Sequence, residues 1–242
     1  MLRAYRADLH VHTVLSPCAS YRMAPGHVVA RARDVGLDVI GITDHNSSAN
    51  ARAVVGAARG SGLWVLPGME VESREEVHVL CLFERADEAE AWQEVVYAHL
   101  PPLVNDEAAF GAQLVVSAED EFVRHETRRL LVATSLGIAE VAERVAGLGG
   151  ICIPAHVDRQ AYGLIGVLGF VPPEPAFPAL EVSRHARPAD HAAPGRAVLR
   201  SSDAHDLDDL GTATSTFHLA EPTLAELVLA CRGEAGRWVE VG

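Results

Sequence analysis

The feature that most restricts how this chain can fold is the placement of its histidines. Six of the twelve, His10, His12, His45, His78, His156 and His205, lie at the ends of apolar runs, where random placement would scatter them. The first two sit in Asp8-Leu9-His10-Val11-His12-Thr13. A β-strand sends alternate side chains to opposite faces, so His10 and His12 point the same way as a two-imidazole clamp. Alone, such a pair reads more readily as an unliganded, partly buried couple than as a metal site. Four more segments reverse that balance. Thr43-Asp44-His45, Gly68-Met69-Glu70, Pro154-Ala155-His156 and Ser202-Asp203-Ala204-His205 each follow a β-like run with metal-capable side chains, and His78 heads Val79-Leu80-Cys81-Leu82-Phe83.

The apolar runs alternate with helical patterns. Strands are expected near residues 6–12, 37–43, 63–71, 77–83, 151–155, 179–182 and 197–201, with an additional strand at 214–219. Pro25 suits a first helical turn and Gly36 a helix stop; further helices are expected at 48–59 and 222–232. Such alternation points to an α/β fold, a parallel sheet with helical crossovers. The segment 84–150 breaks the rhythm, being helix-rich, acidic at its start and split by Pro101-Pro102 and Gly111. It is too long for a simple crossover and reads as a helical insertion covering the site. With no internal repeat, low-complexity tract or clear linker, one domain over residues 1–242 is expected.

A chain of 242 residues with 49% apolar residues is long enough to bury a full core. No apolar run approaches bilayer-spanning length and the N-terminus lacks a signal-peptide pattern, so a cytoplasmic location is expected. Cys18, Cys81, Cys152 and Cys231 form no C-x-x-C pair, which argues against a disulfide framework or a thiolate zinc cage. The net charge of −13 argues against a polyanion partner. A small phosphorylated substrate, and no nucleic-acid polymer, is the expectation; oligomeric state is not specified. All twenty basic residues are arginine. Lysine Schiff bases, lysine general bases and carbamylated-lysine metal bridges are therefore excluded.

Side chains at the C-terminal ends of strands in parallel α/β folds converge on a shared mouth. His10, His12, Glu70 and Asp203 make a plausible nitrogen and oxygen site for one divalent ion. His78 and His156 could hold a second, with Glu70 bridging the two, and His45 and His205 a third. Imidazole and carboxylate ligands without thiolate fit Zn, Mn or Fe. Two divalent ions would oppose four positive charges to the two negative ones of Glu70 and Asp203, making a cationic mouth in an acidic protein. A bridging water, its pKa lowered to about 7 in the best-known zinc case, would supply a hydroxide nucleophile. Arg159 and Arg184 are candidate phosphate-gripping residues.

The segments Asp8–Thr13, Gly41–Ser47, Gly68–Glu70, Ile153–His156 and Ser202–His205 resemble the signature blocks of the PHP (polymerase and histidinol phosphatase) domain, over residues 6–211. The resemblance implies a distorted (β/α)7, TIM-like barrel with two to three divalent ions at its C-terminal mouth, and a metal-dependent phosphoesterase activity. It implies metal ligation by His10, His12, Glu70, His78, His156 and Asp203, with His45 and His205 at the third ion. Asp44 and His205 are the expected catalytic residues. One departure stands out: many members carry an acidic residue or histidine shortly after the first block, where this chain has Ser16-Pro17-Cys18, so that Asp44, Cys18 or water would complete the third site. Two other readings compete. An amidohydrolase-type deaminase or amidase also begins with His-x-His but often bridges its metals with a carbamylated lysine. A non-catalytic PHP module would have lost ligands, and here the set looks nearly whole.

Overall fold

The apolar runs do become strands, but they pair in both directions. A computed structural model describes residues 1–191 and 196–241. Its strands are β1 (Arg3–Val11), β2 (Val39–Ile42), β3 (Trp64–Glu72), β4 (His78–Leu82), β5 (Leu114–Val116), β6 (Phe122–His125), β7 (Ile151–Pro154), β8 (Ala179–Val182), β9 (Ala197–Arg200), β10 (Ser215–Leu219) and β11 (Trp238–Val241). Its helices are α1 (Pro25–Asp34), α2 (Ala51–Ala57), α3 (Ala86–His99), α4 (Glu107–Phe110), α5 (Ile138–Gly147), α6 (Leu164–Leu168) and α7 (Leu224–Arg232).

Seven strands form one curled sheet, a half-barrel, in the order β11-β10-β1-β2-β3-β4-β7. The β8–β9 pair forms its own parallel ladder, β8 lying beside β7 and β9 beside β11. The expected parallel sheet is thus corrected to a mixed one: β1, β2 and β3 run parallel, whereas β4 is antiparallel to β3 and β7 is antiparallel to β4. The reason is connection length. Only residues 73–77 join β3 to β4, and a parallel return needs a crossover of a dozen residues or more. This reversal also explains His78. Glu72 pairs with His78 and Val79 with Pro154, so the start of β4 lies at the same sheet edge as the ends of β3 and β7.

Residues from both sheets bury a common apolar interior, including Ala7, Leu9, Leu66, Leu80, Leu82, Ile153, Ala179, Leu199 and Phe217, with Leu224, Leu227 and Ala230 of α7 packed against it. Outside β3 and β4, Trp92 of α3 and Val141 and Val145 of α5 are fully buried with Met69, Val71 and Val79. The three- and four-residue spacing of Ile138, Val141 and Val145 gives α5 one apolar face. The segment 84–150 holds α3, α4 and α5, but also a β5–β6 hairpin that the helix-rich expectation lacked. Every residue of β6 is exposed, so no alternating pattern marks it. Among the described residues no helix is long and apolar enough to cross a membrane.

Gly41 of β2 has no room for a side chain, because a Cβ there would run into the Leu9 carbonyl of β1. Substituting Gly41→Ala forces the two strands apart just ahead of Asp44 and His45. The expected loss is about 1–3 kcal/mol of stability, in the range of overpacked cores, read as a lower midpoint in urea unfolding.

Candidate metal centre

At that shared edge the predicted residues meet around one carboxylate. Glu70, 1% exposed, has Oε1 at 2.9 Å from His78 Nδ1, 3.1 Å from His156 Nε2 and 3.3 Å from His10 Nε2. Its Oε2 lies 3.0 Å from His45 Nδ1 and 3.6 Å from His12 Nε2. Asp203 Oδ1 lies 3.2 Å from both His10 Nε2 and His12 Nε2. His205 stacks on His12 at 4.1 Å between ring centroids. Three groups of ligand atoms lie close enough together to hold an ion: His10, His12 and Glu70; His45, Glu70 and His78; and His12, His45 and His205. His45 therefore serves two groups and His12 joins the third, a tighter sharing than the sequence suggested.

The loops that carry these side chains are fastened by one repeated device. Asp8 accepts from the backbone N–H and the hydroxyl of Ser202, Asp44 from those of Thr13, and Asp158 from those of Ser183. Each clasp joins two neighbouring strand-end segments. Burial raises Asp8 to about 6 despite these bonds, the Ser202 hydroxyl being the main opposing influence. Asn46, His156 and Asp203 adopt positive φ (48°, 30° and 53°), conformations that cost energy for residues other than glycine and that surrounding contacts must enforce.

The ring nitrogens can be assigned from their partners. His10 Nδ1–H donates to Glu181 Oε1 at 3.0 Å, leaving Nε2 as its lone-pair nitrogen. Ser16 gives its hydroxyl proton to Asp44 Oδ1 and so accepts from His12 Nδ1–H at 2.9 Å, which again leaves Nε2 bare. The two Nε2 atoms thus face each other at 3.1 Å, beside the oxygens of Glu70 and Asp203. With His10 neutral these atoms would be four acceptors without a donor, so positive charge belongs among them, either a second proton on His10 or a cation. His10 responds to the same field: burial opposes its protonation, yet Glu181, Asp203 and Glu70 raise its pKa well above normal. Burial would raise Glu70, but His78 and His10 hold it well below the usual carboxylate range; burial also opposes ionisation of Asp203, and His10 and His12 override it. Burial, then His205 and His45, push His12 well down. Among the described residues, His156 Nδ1 is buried without a partner. A donor set of imidazole and carboxylate with this charge imbalance fits divalent ions, held by one partner nitrogen fixed through a hydrogen bond on the other.

Not every expected residue stands where the sequence placed it. Asp44 does not face the cluster: Thr13 and Ser16 occupy both its oxygens, and it reaches His12 only through Ser16. Both oxygens are thus spent on neighbouring loop groups, and burial raises its pKa. Ser16 supplies a hydroxyl where an acidic residue or histidine was anticipated. Arg159 does reach the centre, with Nη2 at 2.7 Å from Asp203 Oδ2. Arg184 is ion-paired with Asp209 at 2.6 Å, and among the described residues no contact joins it to the imidazoles. Sequence reasoning missed Glu181, 1% exposed, which bonds His10 and the His156 backbone N–H and has Oε2 unpartnered. The available signal was a glutamate inside an otherwise apolar buried strand.

The fold is similar to that of the lesion-specific endonuclease PfuEndoQ from Pyrococcus furiosus, at 21% identity and TM-score 0.72, covering 98% of this chain and 58% of that one. An endonuclease Q complexed with a 27-mer duplex substrate, an abasic lesion at its active site, gives 20% identity, TM-score 0.70 and the same coverage. The chain thus spans 58% of the length of those two structures. A Bifidobacterium adolescentis protein named as a metal-dependent phosphoesterase gives 20% identity and TM-score 0.53, covering 82% of this chain and 87% of that one. No curated protein matches the sequence. The two endonucleases correct the expectation of a small phosphorylated substrate and no nucleic-acid partner. Net charge was a poor guide because it sums the whole surface and says nothing of the charge at any one mouth.

Replacing Glu181 by Gln removes the charge behind His10 while keeping its shape. By the usual effect of such supporting groups, metal affinity is expected to fall about 10–100-fold, measured by competition with a chromophoric chelator. Unchanged affinity would show that Glu181 does not tune His10. With its family model matching residues 8–166, more than half of the sequence, and with the imidazoles of that family gathered around Glu70, the chain belongs to the PHP domain family.

Proposed function

We propose that this chain is a metal-dependent phosphodiesterase acting on DNA. The observation that carries the reading is Glu70, a buried carboxylate within 3.6 Å of five imidazoles, with Asp203 closing the same cluster. His10, His12, Glu70 and Asp203 would hold one divalent ion, His78, His156 and Glu70 a second, and His12, His45 and His205 a third. Such ions, when bound, supply positive charge to phosphoryl oxygens and make water more acidic, a role that Zn, Mn and Fe can all fill.

The protein's own contributions follow from the geometry. Glu181 and Ser16 fix the tautomers of His10 and His12, so both lone pairs face inward. Glu70 stays ionised and balances the imidazoles on every side. Arg159, 41% exposed at its side chain and anchored on Asp203, is placed to grip a non-bridging phosphate oxygen. His205, whose side chain is 26% exposed, is the imidazole of the cluster most open to an incoming strand. Similarity to endonucleases that act on damaged duplexes supports a DNA strand as the substrate.

The test is strand cleavage by protein loaded with Mn or Zn, offered a labelled 27-mer duplex with one abasic site, its undamaged counterpart and an amide panel. One cut near the lesion is expected. His156→Ala and Asp203→Asn should each slow it by more than about 100-fold, exceeding the loss typical of outer supporting groups. Tight metal binding with no phosphodiester hydrolysis would refute the proposal, and amide turnover would replace it.

A further inference from the structure

The turn that follows β7 carries an aromatic side chain that the cluster does not use. The ring of Tyr162 lies on the imidazole of His78, with centroids 4.6 Å apart and planes 20° apart. Its carbonyl accepts the His78 backbone N–H at 2.9 Å, and its φ is +61°. A bulky side chain in the left-handed region is strained, so the surrounding turn must enforce it. That turn is tight: a Cβ on Gly163 or Gly166 would collide with the Arg159 carbonyl. Tyr162 is nevertheless 45% exposed, and among the described residues its hydroxyl has no hydrogen-bond partner. One face of the ring is therefore spent on His78, and its exposed surface stands beside the cluster. Arg159, on the same turn, sits on Asp203. The turn thus brings a cation and an aromatic ring to the same centre.

Resting on the phosphodiesterase reading above, we propose that Tyr162 is a nucleobase platform: the base flanking the scissile phosphodiester leaves its helical neighbours and stacks on the open side of this ring, while Arg159 takes the phosphate. Aromatic platforms bind bases with little regard to sequence, because every base has a π-face. The site would accordingly favour strands whose bases are already unstacked, beside a lesion or in single-stranded DNA, over intact duplex.

Three proteins separate the alternatives: wild type, Tyr162→Ala and Tyr162→Phe, each with its metal content measured. Substrates are single-stranded and abasic oligonucleotides carrying 2-aminopurine beside the cut. Tyr162→Ala is expected to raise KM about 10-fold or more, with the loss falling on KM rather than kcat, and to give brighter 2-aminopurine emission in the complex than wild type. Tyr162→Phe, which keeps the ring, should restore both. If Tyr162→Phe fails as badly as Tyr162→Ala, the hydroxyl is what matters and the platform is wrong. If Tyr162→Ala loses metal and kcat together, the ring only shields His78; if it matches wild type throughout, the base does not touch it. Absence of any cleavage by wild type would instead remove the phosphodiesterase reading, and this inference with it.

Discussion

Too many electron pairs for the space they occupy: that imbalance at the strand ends governs the rest of the molecule. Two imidazole nitrogens and the oxygens of two carboxylates point at one another across about 3 Å, a grouping that holds together only around positive charge, a proton on His10 or a cation. Left alone they would spread apart. What prevents this is a rigid surround, in which Asp8, Asp44 and Asp158 each pin a backbone N–H and a hydroxyl of a neighbouring segment. Asp8 and Asp44 are fully buried, and burial makes their ionisation harder. The fold thus tolerates several unfavourable charges so that a few others are aimed correctly, a trade expected where function rather than stability sets the geometry.

Much of the site was legible because strand ends are easy to find. Gly, Pro and polar residues interrupt apolar runs, and six histidines with Glu70 and Asp203, picked out at such interruptions, lie together. Direction was not legible in the same way. Nothing in the run Val79–Phe83 says whether it lies parallel or antiparallel to its neighbour; the short link before it does, and that clue outweighs the βαβ rhythm. Had β4 been parallel, His78 would lie at the opposite edge from Glu70.

Other residues were hidden for chemical reasons. Asp44 stands beside His45 in sequence and looked equally exposed to the site, yet side-chain direction alternates and its oxygens turn towards Thr13 and Ser16. Glu181 was hidden by its company, since Ala179-Leu180-Glu181-Val182 is all buried and reads as core. Tyr162 was invisible because its importance lies in a backbone conformation and a stacked partner, neither of which leaves a trace in spacing.

The wide spread of the ligands along the chain has a kinetic meaning. His10 and His12 belong to an early strand and Asp203 and His205 to a segment near the far end, and the isolated bridge between Val11 and Ala204 brings those distant pieces together. Contacts of such long range form slowly, after local helices and hairpins. During synthesis the His10–His12 clamp would wait, without its remaining ligands, until residues 203–205 had left the ribosome. Full coordination of an ion is then a late event, a seal on completed folding rather than its nucleus.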